Sequence, residues 1–331
     1  PGAEQMAWVW NWAYRDMILQ CNTIITYAEN PQRGMKWSSE EKKNAIVGEA
    51  KFFRAYTYNM LANLYGGVPL VDVIYHSPKT DFVRSTREEI LEFVKEDLVF
   101  ASKWLPKTVE KAKEGRIVKA AADHLLAEVY ISLGFYDLAV NSASDVIDSG
   151  LYQLMRNRFG SEKNLPGDVF SDLFRDGNQN RSSGNLESIY VWQIEDMTTG
   201  GQGASNGNNR LRNWGPWYTR LTDPSKRSGM VAVDSLGQGG GQVRPTPYFL
   251  YQIWEDNWDN DIRNSIHNIR REFRYTNPKS TYFGQIVEPK KTEVDTMQNI
   301  YPQIRKIEGN KGELTNTGVP WMGRTYQDFM V

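Results

Sequence analysis

The fold is decided by the stretch GEAKFFRAYTYNMLANLYGGVPLV at residues 48–71. Its apolar side chains recur every three or four residues, which is the spacing of a helix with one buried face. That face is predicted to consist of Ile46, Ala50, Phe53, Thr57, Leu61 and Leu64. Gly66 and Gly67 predict the end of the helix, because glycine readily adopts the left-handed conformation that closes a helix. Arg54 falls on another face with Tyr58, so the pattern does not make it a simple core residue.

Helical patterns continue on both sides of this stretch. Residues 6–29 predict a helix with one apolar face, made of Val9, Ala13, Met17, Cys21, Ile24 and Ala28. The tryptophans near its start are expected to wedge against neighbouring elements; they are Trp8, Trp10 and Trp12. Ser38 and Ser39 offer a hydroxyl N-cap for the next helix. Residues 85–88 and 86–89 form overlapping capping boxes, which predict the start of another helix before Pro106.

Residues 119–148 contain the clearest repeat signal in the chain. The spacing of Leu126, Ala127, Tyr130, Gly134, Tyr136 and Ala139 matches the core of a tetratricopeptide repeat. In such a repeat Ala127 allows two helices to approach closely, and Gly134 makes the turn between them. Tyr136 and Ala139 are predicted to seat the second helix on the first. One such hairpin is not stable alone, so a stacked array is expected.

The fold class that follows is mainly α, with two regions intertwined in a single domain. Residues 1–150 predict a tetratricopeptide-like array of helical hairpins, and residues 151–331 predict a loop-rich region with few strands and a ligand site. Ten glycines fall within residues 200–241, where helical periodicity has faded. Short strands are expected at residues 188–194 and 284–287, and a short helix at residues 245–258. Long structured loops in a compact protein are usually functional.

Composition excludes several classes of protein. Lysine and arginine number 39 against 40 aspartates and glutamates, so the chain lacks the basic excess of a general nucleic-acid binder. Its one cysteine, Cys21, rules out an internal disulfide and a cysteine-based zinc site. Cys21 is expected to be a packed thiol on a helix face. No apolar run approaches the roughly 18 residues of a membrane-spanning helix.

Motifs for catalysis and metal binding are weak, so no enzyme activity and no cofactor are predicted. Residues 203–207 fit G-x-S-x-G, but that nucleophile motif needs a strand before it and a helix after it. His124 and Glu128 share a helix face without a third metal ligand. Residues 257–261 alternate oxygen-bearing side chains, faintly like a calcium loop, yet the glycine and final glutamate of an EF-hand are missing. A structural calcium and a helix-capping role are the alternatives there, and capping is favoured.

One aromatic cluster on the glycine-rich loop stands out as a candidate ligand site. The predicted ligand-binding residues are Asn208, Asn209, Arg212, Trp214, Trp217 and Tyr218. Indole and phenol rings can stack on the CH faces of sugars, and amides and guanidinium groups can bind their hydroxyls. The alternative is that Trp214 and Trp217 only anchor this loop to the helices.

Several stretches of this sequence resemble the SusD/RagB family of nutrient-binding outer-membrane lipoproteins. The most recognisable are EAKFFRAY at residues 49–56 and LYGGVPLV at residues 64–71. The R-P-T element at residues 244–246 and the D-x-R element at residues 261–263 follow in the family's order. Residues 324–331 resemble the start of a late family helix.

The resemblance implies a lipid-anchored protein on the surface of the outer membrane. Such proteins sit as a lid on a SusC-like TonB-dependent transporter, capture oligosaccharides or in some branches peptides, and do no chemistry. It also implies that the anchor cysteine and late helices lie outside this chain, which is expected to be cut at both ends. A tetratricopeptide module that binds a partner protein is the alternative outside this family, and a glycosidase is a weaker one.

Overall fold

The structure is a computed structural model, and it describes residues 3–33, 35–175, 177–193, 213–233, 235–237, 239–288, 298–307 and 326–330. The protein is mainly α, as the sequence predicted. The chain divides into two compact units. The first unit comprises Pro1–Gln153 with Phe329–Val331, and the second unit comprises Leu154–Asp328.

Helices that pack on their neighbours along the chain build the first unit. They are α1 (Ala3–Asn11), a π-helical segment (Trp12–Ile18), α2 (Leu19–Glu29), α3 (Glu40–Tyr65), α4 (Arg87–Trp104), α5 (Lys119–Leu133) and α6 (Tyr136–Ile147). Helix α3 packs on α2 and α4, α4 packs on α5, and α5 packs on α6. Short 3-10 turns cover Pro31–Arg33 and Lys111–Lys113. This is the array of helical hairpins that the sequence predicted.

The first helix differs from the regular helix that its sequence predicted. Residues Trp12–Ile18 form a π-helix, in which hydrogen bonds join residues five apart. Ala13 and Ile18, also five apart, are the buried residues of this segment. The residue that contributes to the core is therefore Ile18 and not Met17, which the sequence had predicted. Trp10 contacts Tyr65 of α3, as expected, with ring centroids 5.1 Å apart. The wedging role expected of Trp8 is wrong, because that side chain is 70% exposed.

Both ends of α3 follow the predicted signals. The Ser39 hydroxyl accepts the backbone N–H of Lys42 at 3.2 Å and caps the N-terminus. Gly66 ends the helix with a positive φ of 71°. At Gly67 a Cβ atom would lie 2.3 Å from the Ser85 carbonyl oxygen, so only glycine allows this approach of the two chain segments.

Arg54 lies at the centre of the first unit, in contrast to its predicted placement. Its Nε donates to one carboxylate oxygen of Asp97 at 2.7 Å, and its Nη2 donates to the other at 2.9 Å. Both side chains are almost fully buried, at 5% and 3% exposure. Lys51 donates to the same carboxylate at 2.8 Å. The second face of α3 is thus buried too, and its charges are paired across α3 and α4.

The buried arginine also fixes the chain that leaves α3. Its Nη1 donates to the side-chain oxygen of Asn22 on α2 at 2.8 Å, and the Asn22 amide donates to the Val71 carbonyl at 2.9 Å. The backbone N–H of Val71 donates to the Tyr58 hydroxyl at 2.7 Å. Tyr14 donates to the Pro69 carbonyl at 2.7 Å. Side chains from three helices therefore hold the extended segment after Gly67.

The α5–α6 hairpin confirms most of the repeat prediction. Gly134 takes the left-handed conformation between the two helices, with φ of 80°. Ala127, Tyr130 and Ala139 are buried, as a repeat core requires. The role predicted for Tyr136 is wrong, because its side chain is 66% exposed at the start of α6.

Loops dominate the second unit. Its regular elements are α7 (Val169–Leu173), β1 (Ser188–Trp192), α8 (Pro247–Leu250), β2 (Ile269–Arg270) and β3 (Gln303–Ile304), with 3-10 turns at Arg181–Ser183, Tyr218–Arg220, Gln252–Asn257, Ile262–Asn264 and Arg305–Ile307. Strands β2 and β3 are antiparallel, with Ile269 opposite Ile304. The strand expected at residues 284–287 is reduced to one bridge between Arg274 and Ile286.

A further strand, β4 (Tyr326–Met330), covers the region where the start of a late helix was expected. The helix prediction is wrong for these residues. Tyr326 and Phe329 are aromatic, and aromatic residues are enriched in strands.

Removing the Asp97 carboxylate should destabilise the first unit strongly. We expect Asp97→Ala to lower the free energy of unfolding by about 3–5 kcal/mol, because Arg54 and Lys51 lose their buried partner. Urea unfolding followed by circular dichroism measures this. The matched control is Asp16→Ala, which removes an exposed ion pair with Arg15 and should leave the stability unchanged. Equal effects of the two substitutions would contradict the role assigned to Asp97.

Cys21 should be a protected thiol. Burial raises its pKa to about 12, while an ordinary thiol titrates near pH 8.5. Below the ordinary pKa both folded and unfolded states keep the proton; between the two values only the folded state keeps it. The thiol therefore costs stability as the pH rises toward 12. We expect Ellman's reagent at pH 8 to label the native protein far more slowly than the urea-unfolded protein. Rapid labelling of the native protein would contradict the burial of Cys21. The Cys21→Ala variant, which has no thiol, is the negative control.

Candidate functional site

The structure describes three of the six residues predicted as a ligand site. Asn208, Asn209 and Arg212 lie outside the described residues, as does the G-x-S-x-G motif at residues 203–207. The three aromatic residues are described, and they occupy three different environments.

Tyr218 is a core residue, so it offers no ring face to a ligand. It is 1% exposed and packs with Met230, Phe273 and Ile300 in a cluster of the second unit. Its hydroxyl donates to the Gly237 carbonyl and accepts the Val233 backbone N–H. The prediction that Tyr218 belongs to a stacking platform is corrected by this burial.

Trp217 is half-buried beneath an arginine. The guanidinium carbon of Arg220 lies 3.3 Å from the centroid of the Trp217 ring. The backbone N–H of Trp217 donates to the Gln298 carbonyl at 3.1 Å. One face of this indole is thus covered by the protein itself.

Trp214, unlike Trp217 and Tyr218, lines a large cavity in the described part of the second unit. This aromatic cavity has a volume of about 660 Å³. Its lining residues come from seven short stretches of chain: Phe170; Trp214; Arg244, Pro245 and Thr246; Phe249, Ile253 and Trp254; Arg263; Asn268 and Ile269; Ile304 and Lys306. The volume lies in the range of about 300–1,000 Å³ that is typical of small-molecule sites.

Hydrogen bonds hold the backbone of Trp214 in place. The buried Tyr301 hydroxyl donates to the Trp214 carbonyl at 2.9 Å and lies 3.3 Å from the Val243 carbonyl. Burial raises the pKa of Tyr301 to about 12, so the donor keeps its proton at physiological pH. The Gly241 N–H donates to the Gly215 carbonyl at 2.8 Å. Trp214 is therefore fixed on a paired backbone, not on a free loop.

Another part of the wall is built on α8. Thr246 caps this helix by accepting the backbone N–H of Phe249 at 3.3 Å. The Trp254 indole N–H donates to the Phe249 carbonyl at 2.7 Å, and the two rings meet edge to face with centroids 5.7 Å apart. Trp254 is 4% exposed and packs with Leu250 and Ile269. This wall is consequently part of a hydrophobic core.

Polar groups enter the cavity at a few points. Arg263 is bound by both carboxylate oxygens of Asp261, through Nε at 2.9 Å and Nη2 at 2.6 Å. These hydrogen bonds hold the pKa of Asp261 below its ordinary value. Asn268 is buried, and its amide donates to the Asp168 carboxylate and to the Ile262 carbonyl. Arg244 and Thr246 are exposed.

Sequence reasoning missed most of this wall. Residues 244–246 and 261–263 were recognised only as family-like elements, yet Arg244, Thr246 and Arg263 line the cavity. The signal was present in the aromatic run at residues 248–258, which was interpreted as a short helix. Ile269 and Ile304 are brought to the cavity by the pairing of β2 with β3, which no local pattern in the sequence indicated.

No metal centre is evident among the described residues. They contain no group of three or more histidine, cysteine, aspartate or glutamate side chains placed to hold a metal ion. In the suspected calcium segment, Asp261 caps the turn at Ile262–Asn264 by accepting the Arg263 N–H at 3.0 Å, as the capping alternative predicted. No helix in the described ranges combines the length and apolarity needed to cross a bilayer.

Replacing Tyr301 with phenylalanine should loosen the Trp214 segment. We expect Tyr301→Phe to lower the free energy of unfolding by about 1–3 kcal/mol, because the Trp214 carbonyl loses a buried donor. Chemical unfolding measures the change. Tyr248→Phe is the matched control, since Tyr248 is 60% exposed. Equal stabilities of the two variants would show that the phenol does not support this segment.

Comparison with known proteins gives a consistent set of similarities. A SusD-like family model, described as "starch-binding associating with outer membrane", matches residues 2–131. The chain is 34% identical over 142 residues to SusD-like protein P2 of Formosa agariphila, covering 42% of this chain and 26% of that protein. It is 26% identical over 204 residues to a SusD-like protein of Bacteroides ovatus, covering 57% and 33%. The chain thus spans a third or less of these relatives' length.

Solved structures with the same fold match nearly the whole chain. A laminarin-binding SusD-like protein aligns with a TM-score of 0.67 at 18% identity, covering 97% of this chain and 63% of that one. Surface glycan-binding protein A from Bacteroides fluxus aligns with a TM-score of 0.66 at 21% identity, covering 97% and 59%. A structure with a xylogluco-oligosaccharide gives 0.62 at 19%, covering 99% and 58%. At these identities the likeness establishes the fold.

Proposed function

We propose that this chain, whose residues 2–131 match a SusD-like family model, is a member of the SusD/RagB family and a surface-exposed outer-membrane lipoprotein that captures oligosaccharides. The aromatic cavity of the second unit is the proposed binding site. The captured oligosaccharide is delivered to a SusC-like TonB-dependent transporter. The protein binds its cargo and does not cleave it.

The observation that carries this proposal is the composition of the aromatic cavity. Trp214, Phe249 and Phe170 line it, and all three are partly exposed, so ring surface is available to a ligand. Aromatic surface excludes water and packs against the CH groups of a sugar, while a few polar groups set its orientation. Thr246 and Arg244 supply such polar groups at the exposed side of the cavity.

The relatives support an oligosaccharide as the cargo. One protein of the same fold binds laminarin, and another was solved with a xylogluco-oligosaccharide. Transfer of this property to the present chain rests on the shared fold together with the cavity, since fold alone does not determine a ligand. The transporter partnership and the lipid anchor rest on family membership.

Replacing Trp214 should remove oligosaccharide binding. We expect Trp214→Ala to weaken binding roughly tenfold or more, because an aromatic anchor in a cavity carries much of the binding energy. Trp217→Ala is the matched control: Trp217 lies three residues away, does not line the cavity, and already has one face covered by Arg220. Isothermal titration calorimetry with β-glucan, xyloglucan and uronic-acid oligosaccharides and with peptides of similar size measures both.

Unchanged binding in Trp214→Ala at an unchanged melting temperature would exclude this cavity as the site. If the protein bound peptides and not oligosaccharides, the proposed role at the transporter would stand and the cargo would be a peptide. Chromatography of the incubated oligosaccharides should recover them uncleaved, and the release of shorter products would overturn the assignment as a binding protein.

A further inference from the structure

The charges around the aromatic cavity point to the kind of oligosaccharide that it binds. Three basic side chains line it, those of Arg244, Arg263 and Lys306. None of the described lining residues is acidic. Arg263 is neutralised by its two hydrogen bonds to Asp261. Arg244 and Lys306 form no ion pair with any described residue, so their charges are not offset there.

A small basic recess adjoins the cavity and shares two lining residues with it, Asn268 and Lys306. The other residues of this recess are Ser171, Phe174, Arg175, His267 and Arg305. Lys306 bridges the two spaces, with its ammonium 5.6 Å from the centroid of the Phe174 ring. Positive charge is therefore continuous from the recess to the cavity.

The acidic groups near the recess already have partners. Asp168 accepts hydrogen bonds from Ser265, Asn268 and the backbone of Ser171. Glu162 pairs with Arg175 at 3.1 Å, and Asp172 pairs with Arg158 at 2.5 Å. After these pairs, Arg244 and Lys306 carry positive charges that no described acidic side chain pairs with, which leaves a positive excess among the described residues.

His267 lies in the recess among these charges. Burial lowers its pKa most, and although Asp168 favours the charged imidazole, Arg305, Arg175 and Arg158 all oppose it. A positive potential at the imidazole thus agrees with the count of charges around the recess.

A neutral sugar would cover these cations without a counter-charge. Removing water from a charged side chain costs free energy when the side chain gains no new partner. An anionic group on the sugar would compensate for this cost by forming a charge-assisted hydrogen bond with the cation. We propose that the cavity selects anionic oligosaccharides, whose sugar rings pack on Trp214 and Phe249 while a carboxylate or sulfate group binds Arg244 or Lys306. This inference rests on the proposed function and specifies its ligand class.

The test uses pairs of oligosaccharides that differ only in charge. One pair is an oligogalacturonide and its methyl ester, and the other is a sulfated galactan oligosaccharide and its desulfated form. Calorimetry at low and high salt should show about tenfold tighter binding of at least one charged member than of its neutral partner, with the difference shrinking in high salt. The pair that responds identifies carboxylate or sulfate as the recognised group.

Variants then localise the selectivity. Arg244→Gln and Lys306→Gln should each weaken binding of the charged oligosaccharide by about tenfold and reduce its advantage over the neutral one. Lys279→Gln is the matched control, since Lys279 is an exposed lysine of the second unit away from the cavity. An NMR pH titration with and without the charged oligosaccharide should show that the bound anion raises the pKa of His267.

Neutral oligosaccharides that bind as tightly as their charged partners would overturn the inference while the proposed function stands. Failure of every oligosaccharide to bind would overturn both. Charge selectivity that survives in Arg244→Gln and Lys306→Gln proteins with native melting temperatures would also overturn it, because the selectivity would then arise elsewhere.

Discussion

The buried ion pair between Arg54 and Asp97 is the constraint on which the first unit depends. A guanidinium group has five N–H donors in a fixed plane, so it accepts few arrangements of partners. Here the donors reach Asp97 on α4 and Asn22 on α2, while Arg54 itself belongs to α3. A buried ion pair adds little stability compared with apolar packing, but losing one partner is expensive. We infer that this pair sets the register of the three helices.

The same network explains why the sequence of the central stretch is so specific. Arg54 reaches the Asp72 carbonyl, and Asn22 reaches the Val71 carbonyl, so the helix core is joined to the segment that follows Gly67. Gly67 then allows its backbone to pass close to Ser85, directly before α4. Residues that look like separate motif elements in the sequence therefore contact one another in a single network.

Much of the first unit could be predicted because its signals are local. Caps at Ser39 and Thr86, the turn at Gly134 and the apolar spacing all act within a few residues. The errors occurred where a distant partner decides the outcome. Arg54 was left outside the core because Asp97 lies 43 residues away, and Ile18 replaced Met17 because the π-helix changes the spacing of the buried face.

The aromatic cavity could be predicted only in part, because its wall is gathered from residues 170–306. Aromatic content and a glycine-rich loop suggested Trp214, which lines the cavity, but the same reasoning chose Tyr218, whose hydroxyl forms hydrogen bonds in the core. Local patterns also cannot show that Trp254 is both a core residue and a wall residue. That double role matters for binding. A wall fixed by core packing loses little conformational freedom when a ligand arrives, so more of the contact energy remains as affinity.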